Sequence, residues 1–143
     1  MTAARALLGL LLAVQVASAA SGPELDFVLE CQGCHRRDGS GTPGSVPALR
    51  DSVAGFLHVP GGREYLVQVP GVAQAPLDDA QLAAVVNWML TRFDPAAVPS
   101  TFVPFTAAEV GALRVSPLVD PEPVRKRLLA QIPTTVRSAP HPP

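Results

Sequence analysis

Cys31-Gln32-Gly33-Cys34-His35 is the stretch whose reading decides the fold. Two cysteines three apart on one helical turn can each form a thioether to one edge of a porphyrin, and the next residue's imidazole then lies under the iron. The pattern reads as a site for covalent attachment of one c-type haem, with Cys31 and Cys34 as the thioether residues and His35 as the proximal iron ligand. Three plainer readings compete: a Cys31–Cys34 redox disulfide, a structural bridge, or half of a zinc site. Zinc usually takes four ligands, and the chain holds 2 cysteines in all. A thioredoxin-like pair belongs in a βαβ pattern, and no run of alternating apolar and polar residues argues for a sheet.

The chain has 143 residues, 48% of them apolar, enough for one small domain and too few for two substantial ones. Residues 1–20 read as a secretory signal peptide. Arg5 supplies the positive region, residues 6–17 are apolar apart from Gln15, and Ala17-Ser18-Ala19-Ala20 offers small residues to a signal peptidase. The run is too short to span a bilayer, and no other segment is long and apolar enough. Export to the periplasm suits a haem attached outside the cytoplasm. Cleavage after Ala20 removes Arg5, one of the 11 basic residues, and leaves 10 against 12 acidic ones, a net of −2. That balance gives nucleic acid no basic face to bind.

Ser21-Gly22-Pro23-Glu24 is a helix start, and Leu25, Val28 and Leu29 fall at i, i+3 and i+4 on one apolar face that leads into Cys31. Residues 36–47 form a loop rich in Gly and Pro. The carbonyl near Pro47 is placed to accept the Nδ1 proton of His35, although Pro47 serves equally well as plain turn punctuation. A short helix after Asp51 or Ser52 carries Val53, Phe56 and Leu57. A second covers residues 63–69, with Tyr65, Leu66 and Val69 inward and Pro70-Gly71 as its stop. Leu77-Asp78-Asp79 opens the longest helix, whose apolar positions Leu82, Val85, Val86, Met89 and Phe93 recur at helical spacing until Pro95 ends it.

Beyond Pro95 prolines recur often enough to break the chain into short pieces. The division read here is a haem domain over residues 21–94, a Pro-rich extension with short helices over 95–132, and a disordered tail over 133–143. Within the extension, Thr106-Ala107-Ala108-Glu109 is a capping-box pattern, and Asp120-Pro121 starts a piece carrying Val124, Leu128 and Ile132. Arg125-Lys126-Arg127 reads as a solvated face, with docking of an acidic partner as the other possibility.

The attachment motif, Asp38-Gly39-Ser40-Gly41, Pro47-Ala48-Leu49, and Leu77-Asp78-Asp79-Ala80-Gln81-Leu82 leading to Asn87-Trp88-Met89 carry a family likeness. Over residues 24–92, about half of the chain, the sequence resembles the small class I c-type cytochromes of bacteria. The resemblance implies an all-α fold enclosing one covalent haem c and its iron, with the first and last helices of the domain crossing near the ring edge. It also implies that Pro47 supports His35 and that Trp88 packs between the terminal helices. One departure stands out. The family's usual distal ligand is a methionine in the loop before the last helix, and here that loop runs Val69-Pro70-Gly71-Val72-Ala73-Gln74-Ala75-Pro76. Met1 leaves with the signal, so Met89 is the remaining thioether. The sixth position stays open between Met89, His58, and no protein ligand at all, with His141 a remote fourth.

Three functions compete on this reading. The first is a one-electron carrier whose partners are exported or membrane-bound redox proteins such as a dehydrogenase or an oxidase. The second is a five-coordinate haem protein with peroxidase-like or gas-binding activity, favoured by the missing loop methionine and disfavoured by the scarcity of distal acid-base groups. The third is a haem subunit docked on a larger dehydrogenase through the Pro-rich extension. The carrier is the reading adopted, an electron-transfer protein and not an enzyme.

Overall fold

The structure, a computed structural model, describes residues 22–137. The signal reading of residues 1–20 and the end of the tail lie outside the described residues. Helix α1 (Pro23–Glu30) begins as its sequence predicts, with proline in the first turn and Glu24 and Asp26 near the positive end of the dipole. Cys31 ends it, and α2 (Gln32–His35) is a separate turn in which the His35 N–H donates to the Cys31 carbonyl at 3.0 Å.

The inward face of α1 differs from the expected one. Leu25 and Leu29 are 50% and 65% exposed, whereas Phe27 is 1% exposed. Its ring centroid lies 5.2 Å from that of Trp88 and 5.1 Å from that of Phe93, which in turn meet edge-on at 5.5 Å. One aromatic side chain seated against two others buries more area at this crossing than a leucine would, and edge and tilted ring contacts add to it. Phe27 and Cys31, one turn apart, share that face.

After the glycine loop, the helix expected near Asp51 is a 3-10 turn, Ala54–His58. Helix α3 (Gly62–Gln68) follows, then α4 (Pro70–Ala73). Pro70 was expected to stop the chain's helical course and instead starts a new turn. Val69, ahead of the proline, is pushed out of the helical region to φ −58°, ψ 137°, which ends α3, while the fixed φ of Pro70 suits the first position of α4. Helix α5 (Asp79–Phe93) matches its reading: the Asp78 carboxylate accepts from Gln81 N–H at 2.8 Å, Gln81 Oε1 accepts from Asp78 N–H at 3.1 Å, and all five predicted apolar positions are buried.

A 3-10 turn, Pro95–Ala97, leads on to α6 (Ala107–Arg114), α7 (Pro121–Gln131) and α8 (Thr134–Arg137). The tail read from residue 133 thus opens with a helical turn. Packing does not stop at residue 94: Phe105, Val110, Leu128 and Ile132, each 3% exposed or less, belong to the same core as Phe27 and Leu90. Helix α6 packs along α5, and a Cβ at Gly111 would require the Asp79 carboxylate to move aside. At Thr106 the hydroxyl caps Glu109 N–H at 3.2 Å, but the reciprocal half of the predicted capping box is not made. The Glu109 carboxylate instead takes two hydrogen bonds from Arg63, at 2.8 and 2.7 Å, and the guanidinium also lies 3.8 Å from the Phe105 ring centroid. The fold is all-α; among the described residues the only β pairing is the isolated bridge between Thr42 and Val46. No helix among them is long and apolar enough to cross a membrane.

Candidate functional site

The glycine loop brings Pro47 back under the α2 turn. Gly41 is the tight point, at φ 67°, with its N–H donating to the His35 carbonyl at 3.1 Å. A Cβ on Gly41 would collide with the Val46 and Pro47 carbonyl oxygens, so only glycine lets the two strands of the loop close. The closure puts the Pro47 carbonyl 3.1 Å from His35 Nδ1. A carbonyl only accepts, so Nδ1 carries the proton and the lone pair is on Nε2, the tautomer a metal-ligating imidazole needs. Burial lowers the His35 pKa from its ordinary 6.5, with the Pro47 bond partly opposing, and the ring is therefore neutral at pH 7.

Cys31, Cys34 and His35 lie together on the wall of a cleft of about 420 Å³, a volume in the range of small-molecule and cofactor sites. Leu49, Val53 and Phe56 continue the wall beside Pro47. Tyr65, Leu66, Val69 and Val72 come from α3 and α4, Met89 from α5, and Pro121, Glu122 and Arg125 from the start of α7. The two cysteines are unbridged. Burial pushes the Cys31 thiol up to about 11, with Glu30, Asp26 and Cys34 adding to the rise, so it stays protonated at pH 7. A redox-active pair needs the opposite, a thiol whose pKa is depressed toward neutrality.

A haem is the group the motif calls for, and these residues fit it: two free sulfurs, one imidazole of the right tautomer, and an apolar cleft bounded by all three. The structure separates the candidates for the sixth position. Met89 is on the cleft wall and 6% exposed. His58 is not part of that wall, and its Nε2 donates to the Ala97 carbonyl at 2.7 Å. His141 lies outside the described residues.

Sequence reasoning missed the contribution of α7. Glu122 and Arg125 reach the cleft, and Arg125 opposes the burial that raises the Tyr65 phenol above its ordinary pKa. The Asp120-Pro121 start signal located the helix but carried no sign of where it docks. Arg114 was missed as well: besides the Asp79 carboxylate, its partners are the backbone oxygens of Ala73, Ala75 and Leu77, which leave no trace in a residue pattern.

No family model matches the chain. Two curated proteins do, both named cytochrome c-552 and both from Thermus thermophilus, the second from a specified strain of that organism. Each is 35% identical over 116 aligned positions that cover 68% of this chain and, respectively, 88% and 78% of the relative. The matched 68% exceeds the half of the chain over which the motifs were read. It also amounts to fewer residues than there are aligned positions, so the relatives carry residues with no counterpart here.

Proposed function

The chain belongs to the small class I c-type cytochromes, and from that premise we propose that it is a one-electron carrier holding a single covalent haem c. The observation that carries the reading is His35, neutral, with Nδ1 held by the Pro47 carbonyl and flanked by two free cysteines on the wall of an apolar cleft. Cys31 and Cys34 are the thioether residues and His35 is the proximal ligand.

When bound, the haem supplies the one-electron couple of its iron. The chain's own part is to hold, orient and dry that group. Pro47 fixes the plane of the His35 ring, so the imidazole would hold the iron in one orientation. Leu49, Val53, Phe56, Leu66 and Val69 line the cleft with apolar atoms, which excludes water and keeps the surrounding medium from reorganising when charge changes. Cys34, exposed at the α2 turn, would hold its thioether to the ring where a partner can approach. The small apolar leader at residues 1–20 supports export to the periplasm. The donors and acceptors suited to such a carrier are exported or membrane-bound redox proteins, a dehydrogenase on one side and an oxidase on the other.

A spectroelectrochemical titration of the exported, haem-loaded protein tests the proposal. The expected result is one reversible transition with a one-electron slope. A protein that carries no covalent haem, or one whose haem is bleached on cycling, contradicts it.

A further inference from the structure

We infer that the Pro-rich extension completes the cofactor site: Arg125 of α7 is the cation that takes a carboxylate of the bound group, so that the haem, once attached, holds α7 down on the cleft. The inference rests on the covalent haem proposed above. It extends the site from the attachment motif to a segment that the sequence reading placed outside the haem domain.

The charged side chains on the cleft wall are Glu30, Glu122 and Arg125, and His35 beside them is neutral. Glu30 belongs to the attachment side, where it precedes Cys31 and its charge helps to raise the Cys31 thiol. Glu122 is exposed and lies three residues before Arg125 on the same helix. A carboxylate is repelled by both. A haem brings its propionate carboxylates on the ring edge opposite the thioether bonds, into a cleft whose own side chains already sum to one negative charge. Arg125, the one positive charge among the described residues of that wall, is where such a group is stabilised.

Arg125 is also uncommitted. The other half-buried arginines of the described residues each hold a carboxylate: Arg63 that of Glu109 at 2.7 Å, and Arg114 that of Asp79 at 3.2 Å. Arg125 is half-buried too, yet its guanidinium makes no ion pair or hydrogen bond among the described residues, with Glu122 included. A partly desolvated cation without a counter-ion is costly, and an entering carboxylate relieves that cost. The helix is seated for the purpose. Leu128 and Ile132, further along α7, are 2% and 3% exposed, with Leu128 over Gly61 and Ile132 over Gly55, which fixes where Arg125 stands. Tyr65 comes from α3, against which α7 packs, and burial keeps its phenol protonated, so a second donor lies on the same wall.

The test uses the full haem-loaded protein, with covalent haem first established by intact mass; its absence overturns the carrier reading and this inference with it. Arg125→Gln should then speed amide hydrogen exchange across α7 severalfold, with exchange in α5 and haem content unaltered. It should also lower the reduction potential, because a carboxylate left without its cation favours the ferric charge. Arg125→Lys, which keeps the charge, should recover most of both effects. A pair sheltered in the cleft is poorly screened, so the shift in potential should persist at about 1 M salt. Exchange of α7 at the wild-type rate in Arg125→Gln, or a shift in potential that salt abolishes, makes Arg125 a solvated charge and overturns the inference while leaving the carrier reading intact.

Discussion

Around His35 the cleft is held by bonds that close within a dozen residues, whereas the α3–α4 wall is held by a side chain about forty positions away. On the first side, Gly41 N–H meets the His35 carbonyl, and His35 Nδ1 meets the Pro47 carbonyl twelve residues on. On the second, the carbonyls of Ala73, Ala75 and Leu77 wait for Arg114 to arrive from beyond residue 94. The first arrangement is available to any chain that makes the loop. The second exists only when the extension has docked, so the two sides should differ in what breaks them and in whether the haem chemistry or the stability suffers.

The largest effect is expected on the local side. Replacing Cys31 and Cys34 together with Ala should leave an apoprotein with no cooperative thermal transition by circular dichroism, since the ring supplies much of what a small core lacks. A double variant that still retained haem after acid-acetone extraction would falsify the attachment assignment. Next comes the remote side. Arg114→Ala strands three carbonyls and should cost about 2–4 kcal/mol in denaturant unfolding of the haem-loaded protein, with covalent haem content unchanged. A loss of haem in that variant would erase the distinction between the two walls.

Gly41→Ala returns to the local side and should cost about 1–3 kcal/mol, because the residue is strained at positive φ and its Cβ meets two carbonyls. Unlike Arg114→Ala it should also shift the reduction potential, since the displaced carbonyl is the one that orients His35; an unchanged potential would show that the Pro47 bond does not reach the iron. The smallest effect is at Asp38, whose exposed carboxyl is held below its ordinary 3.8 by hydrogen bonds from the Ser40 hydroxyl and amide, with Arg50 helping. A lowered folded-state pKa means that this contribution is complete above pH 3.8 and is lost as the pH falls through the lowered value. Asp38→Asn should flatten the acid limb of a pH–stability curve slightly; a steeper limb would reverse the sign.

The same contrast explains what could be read from the sequence. The glycine loop and the face of α5 are short-range patterns that the structure places as read; the Pro47 carbonyl takes the role the family resemblance implied, while the attachment motif forms its own turn instead of closing α1. Leu25 and Leu29 were misjudged because helical spacing finds a stripe of apolar residues without saying which stripe meets Trp88 and Phe93. Glu109 was read as a capping residue because Thr106 is three positions away, when its partner Arg63 is 46 positions away. Arg114 carried no local signal, since three of its four partners are backbone oxygens about forty positions away, and Arg125, read as part of a solvated face, reaches the cleft because α7 is laid against α3.

The most direct test of the haem assignment is the intact mass of the exported protein after denaturation and acid-acetone extraction. The predicted result is one haem retained through Cys31 and Cys34, with the mass of the mature chain plus a single ring, and loss of the ring when both cysteines are replaced. A mature chain at its bare mass, with all haem in the extract, would contradict it.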